Sequence, residues 1–312
     1  MTDYSFKNII VCLDLASLDE LLIKYTAYLA EHMGVERINF VHVIETDDMP
    51  REMIEEMFPD LEEPIENVIK RDLEEKVDQN MDRAKSPAQV DLTLKEGNAT
   101  DTILNLAEQS KADLLLLGKK VGYQGTGILS GKIIRLVHCS VMILPETWRY
   151  DIKRILAPVD FSDFSRLALQ NALFIAGKFN AEVLCQYVYN LSVRYYPYIP
   201  SKKMSESVKK KAREDYKKFI KKLNKKPHDI PCIYTLDNDN QPADKIYDQA
   251  IRQQADLVVM GSKGRTNAAS YLLGSVAEKL TTYDKSIPLL IIKDKEENLG
   301  FLDVLNKFYS NL

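Results

Sequence analysis

Three short apolar runs in the first half of the chain return in the second half, in the same order. Asn8–Asp14 (NIIVCLD) parallels Arg154–Asp160 (RILAPVD), and Arg37–Val43 (RINFVHV) parallels Glu182–Val188 (EVLCQYV). Ala112–Gly118 (ADLLLLG) parallels Ala255–Gly261 (ADLVVMG). The separation stays at about 143–146 residues, so few insertions distinguish the two copies. A chain of 312 residues thereby divides into two domains, each large enough to bury a core.

Within each copy the apolar runs alternate with segments of helical period, such as Leu21 to Ala30 and Leu167 to Ala176. Near-continuous Val/Ile/Leu strands mark a parallel sheet covered on both faces. Alternating strands and helices then predict a doubly wound α/β fold in each copy. The expected organisation is a first domain over 1–147, a second over 152–294 and an amphipathic tail over 295–312. Trp148-Arg149-Tyr150-Asp151 reads as the hinge.

The second copy carries the chemistry. Gly261 to Val276 reads GSKGRTNAASYLLGSV and comes directly after an apolar strand. Glycine allows positive φ and close backbone approach. The Gly274-Ser275 pair opens a helical segment whose free N–H groups and dipole suit an anion. Gly274, Ser275 and Val276 are therefore candidate phosphate donors, placed at the carboxyl end of a strand where open α/β sheets bind ligands.

This GxxGx9GS array resembles the ATP-binding signature of the universal stress protein family. The resemblance covers about residues 150–293: Ile155–Ser162 (ILAPVDFS) is similar to the family's first strand and its acidic end, and Pro288–Ile292 to its last strand. It implies a five-stranded parallel sheet of order 3-2-1-4-5, with Asp160 and Gly261 facing one crevice. It also implies an adenine nucleotide, ATP or a relative, with Mg²⁺ bridging its phosphates. By resemblance Pro158, Val159 and Asp160 belong to the nucleotide site, with Asp160 accepting from the ribose hydroxyls or approaching a bound metal, while Val188 offers its backbone to the base and Met260 lies against it. Gly261, Gly264 and Arg265 approach ribose and phosphate, and Gly274, Ser275 and Val276 hold the terminal phosphates. Read without the resemblance, Asp160 is a loop-capping residue, Val188 and Met260 are core, and Lys263 and Arg265 are solvent-facing cations. The family's last strands commonly pair across a two-fold axis, so an intramolecular pseudo-dimer of the two copies is expected, with a homo-oligomer also open.

The first copy reads GKKVGYQGTGILSGKII over 118–134. With Gly118 set against Gly261, Val121 takes the place of Gly264 and Gly131-Lys132 that of Gly274-Ser275. A β-branched residue resists positive φ, and the spacing to the last strand is wrong. Pairing Gly125-Thr126 with Gly274-Ser275 restores no signature either. Asp14 and Val43 survive. One ATP per chain is the expectation.

Composition narrows the function classes. A formal net charge of −4 disfavours a dedicated nucleic-acid binder. No long apolar run suggests a membrane span, and Met1–Ser5 does not open like a secretion signal, so a cytoplasmic setting is expected. Cys12, Cys139, Cys185 and Cys232 have no metal-ligand spacing and read as small hydrophobes, and the four histidines are scattered. No GxxxxGK[ST], HRD or DFG is present, so the reading is a regulatory ATP-binding protein with at most slow hydrolysis. An interaction scaffold without nucleotide is the alternative. Asp47 to Lys85 is acid-rich and Arg194 to Lys226 basic. Each reads as a solvated helix face, a mutual attraction or a docking patch.

Overall fold

The computed structural model describes residues 6–45, 63–119, 128–147, 151–191, 201–265, 273–283 and 286–294. The hinge residues 148–150, the tyrosines at 195, 196 and 198 and the tail 295–312 lie outside these, as do Val121, Gly125 and Thr126 of the first copy's loop. The chain forms two compact units, one built on Met1–Tyr150 and the other on Asp151–Tyr283 with Ile287–Asp294.

The first unit runs β1 (Asn8–Cys12), α1 (Leu18–Met33), β2 (Arg37–Ile44), α2 (Ile65–Asn80), β3 (Gln89–Glu96), α3 (Ala99–Gln109), β4 (Leu114–Lys119), α4 (Ile128–Leu136) and β5 (Ser140–Pro145). Its strands pair in the order β3-β2-β1-β4-β5, all parallel. The second runs β6 (Arg154–Pro158), α5 (Asp163–Phe179), β7 (Glu182–Tyr189), α6 (Ser201–Lys221), β8 (Cys232–Leu236), α7 (Pro242–Arg252), β9 (Leu257–Gly261), α8 (Ser275–Thr282) and β10 (Leu289–Ile292). Here the order is β8-β7-β6-β9-β10, again parallel. Each unit is therefore the 3-2-1-4-5 doubly wound sheet expected from the sequence.

Several strands are buried over most or all of their length. Every residue of β5, β9 and β10 is buried, as are Leu114 to Leu117 of β4. Strands covered on both sides have no solvent face to mark with polar residues, which explains their unbroken apolar runs. Side chains on β7 divide between the two covers. Tyr189 bonds Ser205 of α6 at 3.0 Å, while Gln186 reaches the Lys245 carbonyl of α7 at 2.9 Å. Helices α6 and α7 thus lie on opposite faces of β7.

The repeat extends to backbone conformation. Left-handed residues recur in pairs: Leu15 and Phe161 (φ 63° and 69°), Gly34 and Asn180 (71° and 53°), Gly97 and Asn240 (125° and 54°), Lys111 and Gln254 (50° and 51°). The residue types differ within each pair, yet the chain turns the same way, so the fold imposes the conformation on whatever residue stands there.

A paired aspartate locks each first strand. Asp113 accepts from the Lys7 and Asn8 N–H groups at 3.0 and 2.8 Å, and Asp256 accepts from Lys153 and Arg154 at 2.8 Å each. The Ala-Asp doublet of the repeat is thus a clamp between the start of the fourth strand and that of the first. Charge-assisted bonds of this kind contribute more than neutral ones. Asp256→Ala is expected to lower the stability of the second unit by about 1–3 kcal/mol, with Asp256→Asn costing less. Urea unfolding followed by circular dichroism measures both.

Candidate functional site

Strand β6 ends at Pro158 while its neighbour β7 runs on to Tyr189, so a gap opens beside the last residues of β7. Odd-numbered β7 residues hydrogen-bond toward β8: Cys185 donates to the Pro231 carbonyl at 2.8 Å, and the Tyr189 carbonyl accepts from Asp237 at 2.8 Å. Even-numbered ones point toward β6, where the Gln186 carbonyl accepts from Val159 at 2.8 Å. Val188, two residues on, faces the place that β6 has left. Its N–H and C=O have no partner among the described residues.

A cavity of about 440 Å³ occupies this gap. Its lining includes Pro158, Val159, Asp160, Val188, Met260, Gly261, Gly264, Arg265, Gly274, Ser275 and Val276. All eleven residues named from the sequence therefore meet on one cavity. The sequence reading missed Ser165, Gln186, Tyr187, Tyr189 and Asn190, together with Val208 on α6 and Pro242 and Ile246 on α7. Gln186 could have been found from β7's alternation, two residues before Val188. Val208, Pro242 and Ile246 belong to helices that only the fold brings to the strand ends.

Asp160 holds the floor together. Its Oδ1 accepts from the Ser162 N–H at 3.0 Å and the Ser162 hydroxyl at 2.5 Å. Its Oδ2 accepts from the Arg265 N–H at 2.8 Å, and its carbonyl from Arg265 Nε at 2.5 Å. Ser162 in turn caps α5 by accepting from the Ser165 N–H at 3.2 Å. The loop-capping role is thus present, and one acceptor position on Oδ2 remains beyond the bonds made. The Arg265 guanidinium lies 5.6 Å from the Phe161 ring and 5.7 Å from that of Tyr187, rings stacked at 4.6 Å. Lys263 is buried, with Nζ 4.7 Å from the Phe164 ring centroid.

Of the two reasons the sequence offered for the glycines, positive φ and close backbone approach, the structure supports the second. Neither Gly261 nor Gly264 has a positive φ, and Gly274 has φ −67°. Close approach decides instead. A Cβ on Gly264 would stand 2.7 Å from Asp160 Oδ2, and one on Gly261 would stand 2.9 Å from the Phe164 carbonyl carbon and oxygen. The Gly274 N–H donates to the Ser262 carbonyl at 2.7 Å, pinning the loop's far end to the strand end. Gly274 also caps α8, whose first regular bond runs from Glu278 N–H to the Gly274 carbonyl at 2.9 Å. The N–H groups of Ser275, Val276 and Ala277 consequently have no partner among the described residues.

The first copy keeps the turn and changes the site. Asp14 Oδ1 accepts from the Ala16 N–H at 3.1 Å, as Asp160 does from Ser162. At the place of Ser165 stands Asp19, fully buried, whose Oδ1 accepts from the Asp14 N–H at 3.0 Å. Burial raises its carboxyl above the ordinary range, against the pull of backbone hydrogen bonds and of Lys76 at 3.7 Å. Gly131 lies inside α4 rather than at its start, so the pairing of Gly131-Lys132 with Gly274-Ser275 is wrong. The helix begins at Ile128, so an apolar residue holds the first helical position.

The profile of the Universal stress protein family matches residues 5–145 and again 151–293. The chain belongs to the universal stress protein family. It is 34% identical over 144 residues to a universal stress protein of Methanocaldococcus jannaschii, a match covering 45% of this chain and 82% of that protein. A Methanothermobacter thermautotrophicus universal stress protein is 27% identical over 135 residues, covering 42% of this chain and 89% of that one. Among solved structures, a functionally unknown protein of Pseudomonas aeruginosa aligns with TM-score 0.66 at 16% identity, over 97% of this chain and 98% of its own. A universal stress protein of Archaeoglobus fulgidus aligns with TM-score 0.64 at 16% identity, over 93% and 98%. These two share the fold of this chain. Among the described residues, no helix is long and apolar enough to cross a membrane.

The two glycine contacts predict different penalties. The Phe164 backbone cannot move aside, so Gly261→Ala should destabilise the second unit by about 1–3 kcal/mol. The Asp160 carboxylate can swing away, so Gly264→Ala should cost less stability. Thermal melts of the two variants give the comparison.

Proposed function

We propose that the chain is a regulatory protein that binds ATP, or a related adenine nucleotide, in the cavity of its second copy. The observation that carries this reading is the unused backbone hydrogen-bonding on one cavity wall and the unused donors on another. The Val188 N–H and C=O complement the acceptor ring nitrogen and donor amino group along the edge of adenine. The N–H groups of Ser275, Val276 and Ala277 open a helix and suit phosphate oxygens. The ribose falls between, near Asp160, whose remaining acceptor position suits a sugar hydroxyl. Apolar Met260 and Ile246 line the base end, and Lys263 and Arg265 add positive charge near the phosphates.

Mg²⁺ fits the reading as an ion held by phosphates and water; among the described residues, no group of three or more His, Cys, Asp and Glu side chains is placed to hold it. The reading is regulatory, with at most slow hydrolysis. Asp160 is the carboxylate of the described lining, and it is tied to Ser162 and Arg265 rather than free as a base. The reading keeps the cytoplasmic setting, the pairing of the two copies and the homo-oligomer expected from the sequence.

The site is expected to be single. In the first copy a buried carboxyl, Asp19, takes the place of Ser165, and Ile128 replaces the hydroxyl residue at the helix start. Calorimetric titration of the whole chain should give one ATP per chain. GTP should bind at least about tenfold more weakly, because guanine presents an acceptor and a donor in the reverse order to Val188. Gly264→Val should weaken ATP by a similar factor or more, since its Cβ dislodges Asp160 from Arg265. Two equivalents of ATP would refute the asymmetry. No heat on titration, together with no nucleotide released on denaturing the purified protein, would favour the scaffold without nucleotide.

A further inference from the structure

Helix α6 packs its apolar residues inward: Ala212, Tyr216, Phe219 and Ile220 are buried. Its outward side is crowded with lysine. Residues 201–226 hold 11 Lys and one Arg against three acids, Glu206, Glu214 and Asp215. Lys203, Lys210, Lys217 and Lys221 recur at intervals of seven, seven and four, so they share one exposed stripe. At 1.5 Å per residue the stripe is about 27 Å long. None of these four has an ion-pair partner among the described residues. Elsewhere in the same unit two half-buried lysines are matched, Lys245 by Asp239 at 2.9 Å and Lys279 by Asp244 at 3.8 Å. Lys217 and Lys221 stand one turn apart, a like-charge spacing that disfavours a helix. The stripe is therefore a cost to the fold of this unit, and an anionic partner would offset it.

The first half of the chain is complementary in charge. Residues 1–150 carry 27 Asp and Glu against 16 Lys and Arg, whereas residues 151–294 carry 16 against 24. A membrane fits the stripe less well, because the apolar side of α6 is already used by its own sheet. Nucleic acid also fits less well. Among the described residues α6 carries no exposed aromatic to stack on a base, and the nearby Arg213 guanidinium lies over the Tyr234 ring at 5.8 Å. We propose that the lysine stripe of α6 docks on the acidic N-terminal half of a second copy of this chain, a head-to-tail contact held by charge. Such a contact is heterologous, so each pair of molecules keeps one unused stripe and one unused acidic half.

Sedimentation velocity on the full chain, over about 1–100 µM protein and at about 20 mM and 500 mM NaCl, tests this. At low salt the wild-type sedimentation coefficient should rise with concentration, and the rise should vanish at high salt. Lys210→Glu/Lys217→Glu/Lys221→Glu, which alters exposed side chains only, should weaken self-association at least about tenfold. A head-to-tail contact makes a sharper demand. The triple variant keeps its acidic half, so it should still bind wild-type chains and cap them. Absence of salt-sensitive association in the wild type overturns the proposal, as does a triple variant that associates like the wild type. A variant that cannot bind wild type overturns the acidic half as the partner. A labelled DNA duplex bound through the stripe at about 150 mM salt, with no self-association, would assign the surface to nucleic acid instead.

Discussion

Strand β6 sits between β7 and β9 and runs parallel to both, and the candidate site depends on that arrangement. Parallel pairing sends all three carboxyl ends to the same edge of the sheet. Asp160 leaves β6, Val188 lies near the end of β7 and Gly261 closes β9, so residues more than 100 positions apart in sequence meet there. The carboxylate of Asp256 secures the other end of β6 by accepting two of its N–H groups. The opening at the carboxyl edge is a consequence of strand lengths: β6 stops early, β7 continues, and the vacated position leaves the Val188 backbone without a partner. A longer first strand would satisfy those groups and close the cavity.

At that edge Asp160 joins the parts. One oxygen holds the turn into α5 and the other holds the glycine loop through Arg265. Gly264 is where the loop passes the carboxylate, and a side chain there would separate the two. The left-handed conformation in this region falls instead on Phe161, a bulky residue at φ 69° whose ring packs on Tyr187, Phe219 and the Arg265 guanidinium. Aromatic and cation–π contacts at the rim add to the hold on this residue, while Leu15 takes the same conformation in the first copy without them. Beneath these rings the Cys185 thiol is pushed up to about 12 by burial, so it packs as a neutral group.

The two copies show how a frame can be kept while a site is altered. The aspartate clamp, the Asx turn at Asp14 and the four left-handed positions all recur, because each serves the path of the backbone. The first copy differs in residue type at positions matching the second copy's site: Asp19 in place of Ser165, and Ile128 at the start of the helix. The charge balance diverges as well, negative in the first half and positive in the second.

The sequence by itself determined the tandem of two parallel α/β domains, because apolar period and repeat spacing are local patterns that survive without coordinates. It also marked the glycine array and eleven of the residues that line the cavity. Other features needed the tertiary structure. Gly264 reads as a positive-φ residue in the sequence, yet its requirement comes from Asp160, 104 positions earlier, standing 2.7 Å from where a Cβ would be. The freedom of the Val188 backbone depends on where a different strand ends. The helix walls contributed by Val208, Pro242 and Ile246 carry no motif. Gly131 read as a counterpart of Gly274 until the start of α4 placed it inside a helix. Local patterns record what a segment will form, whereas steric contact and unsatisfied hydrogen bonds are properties of segments brought together.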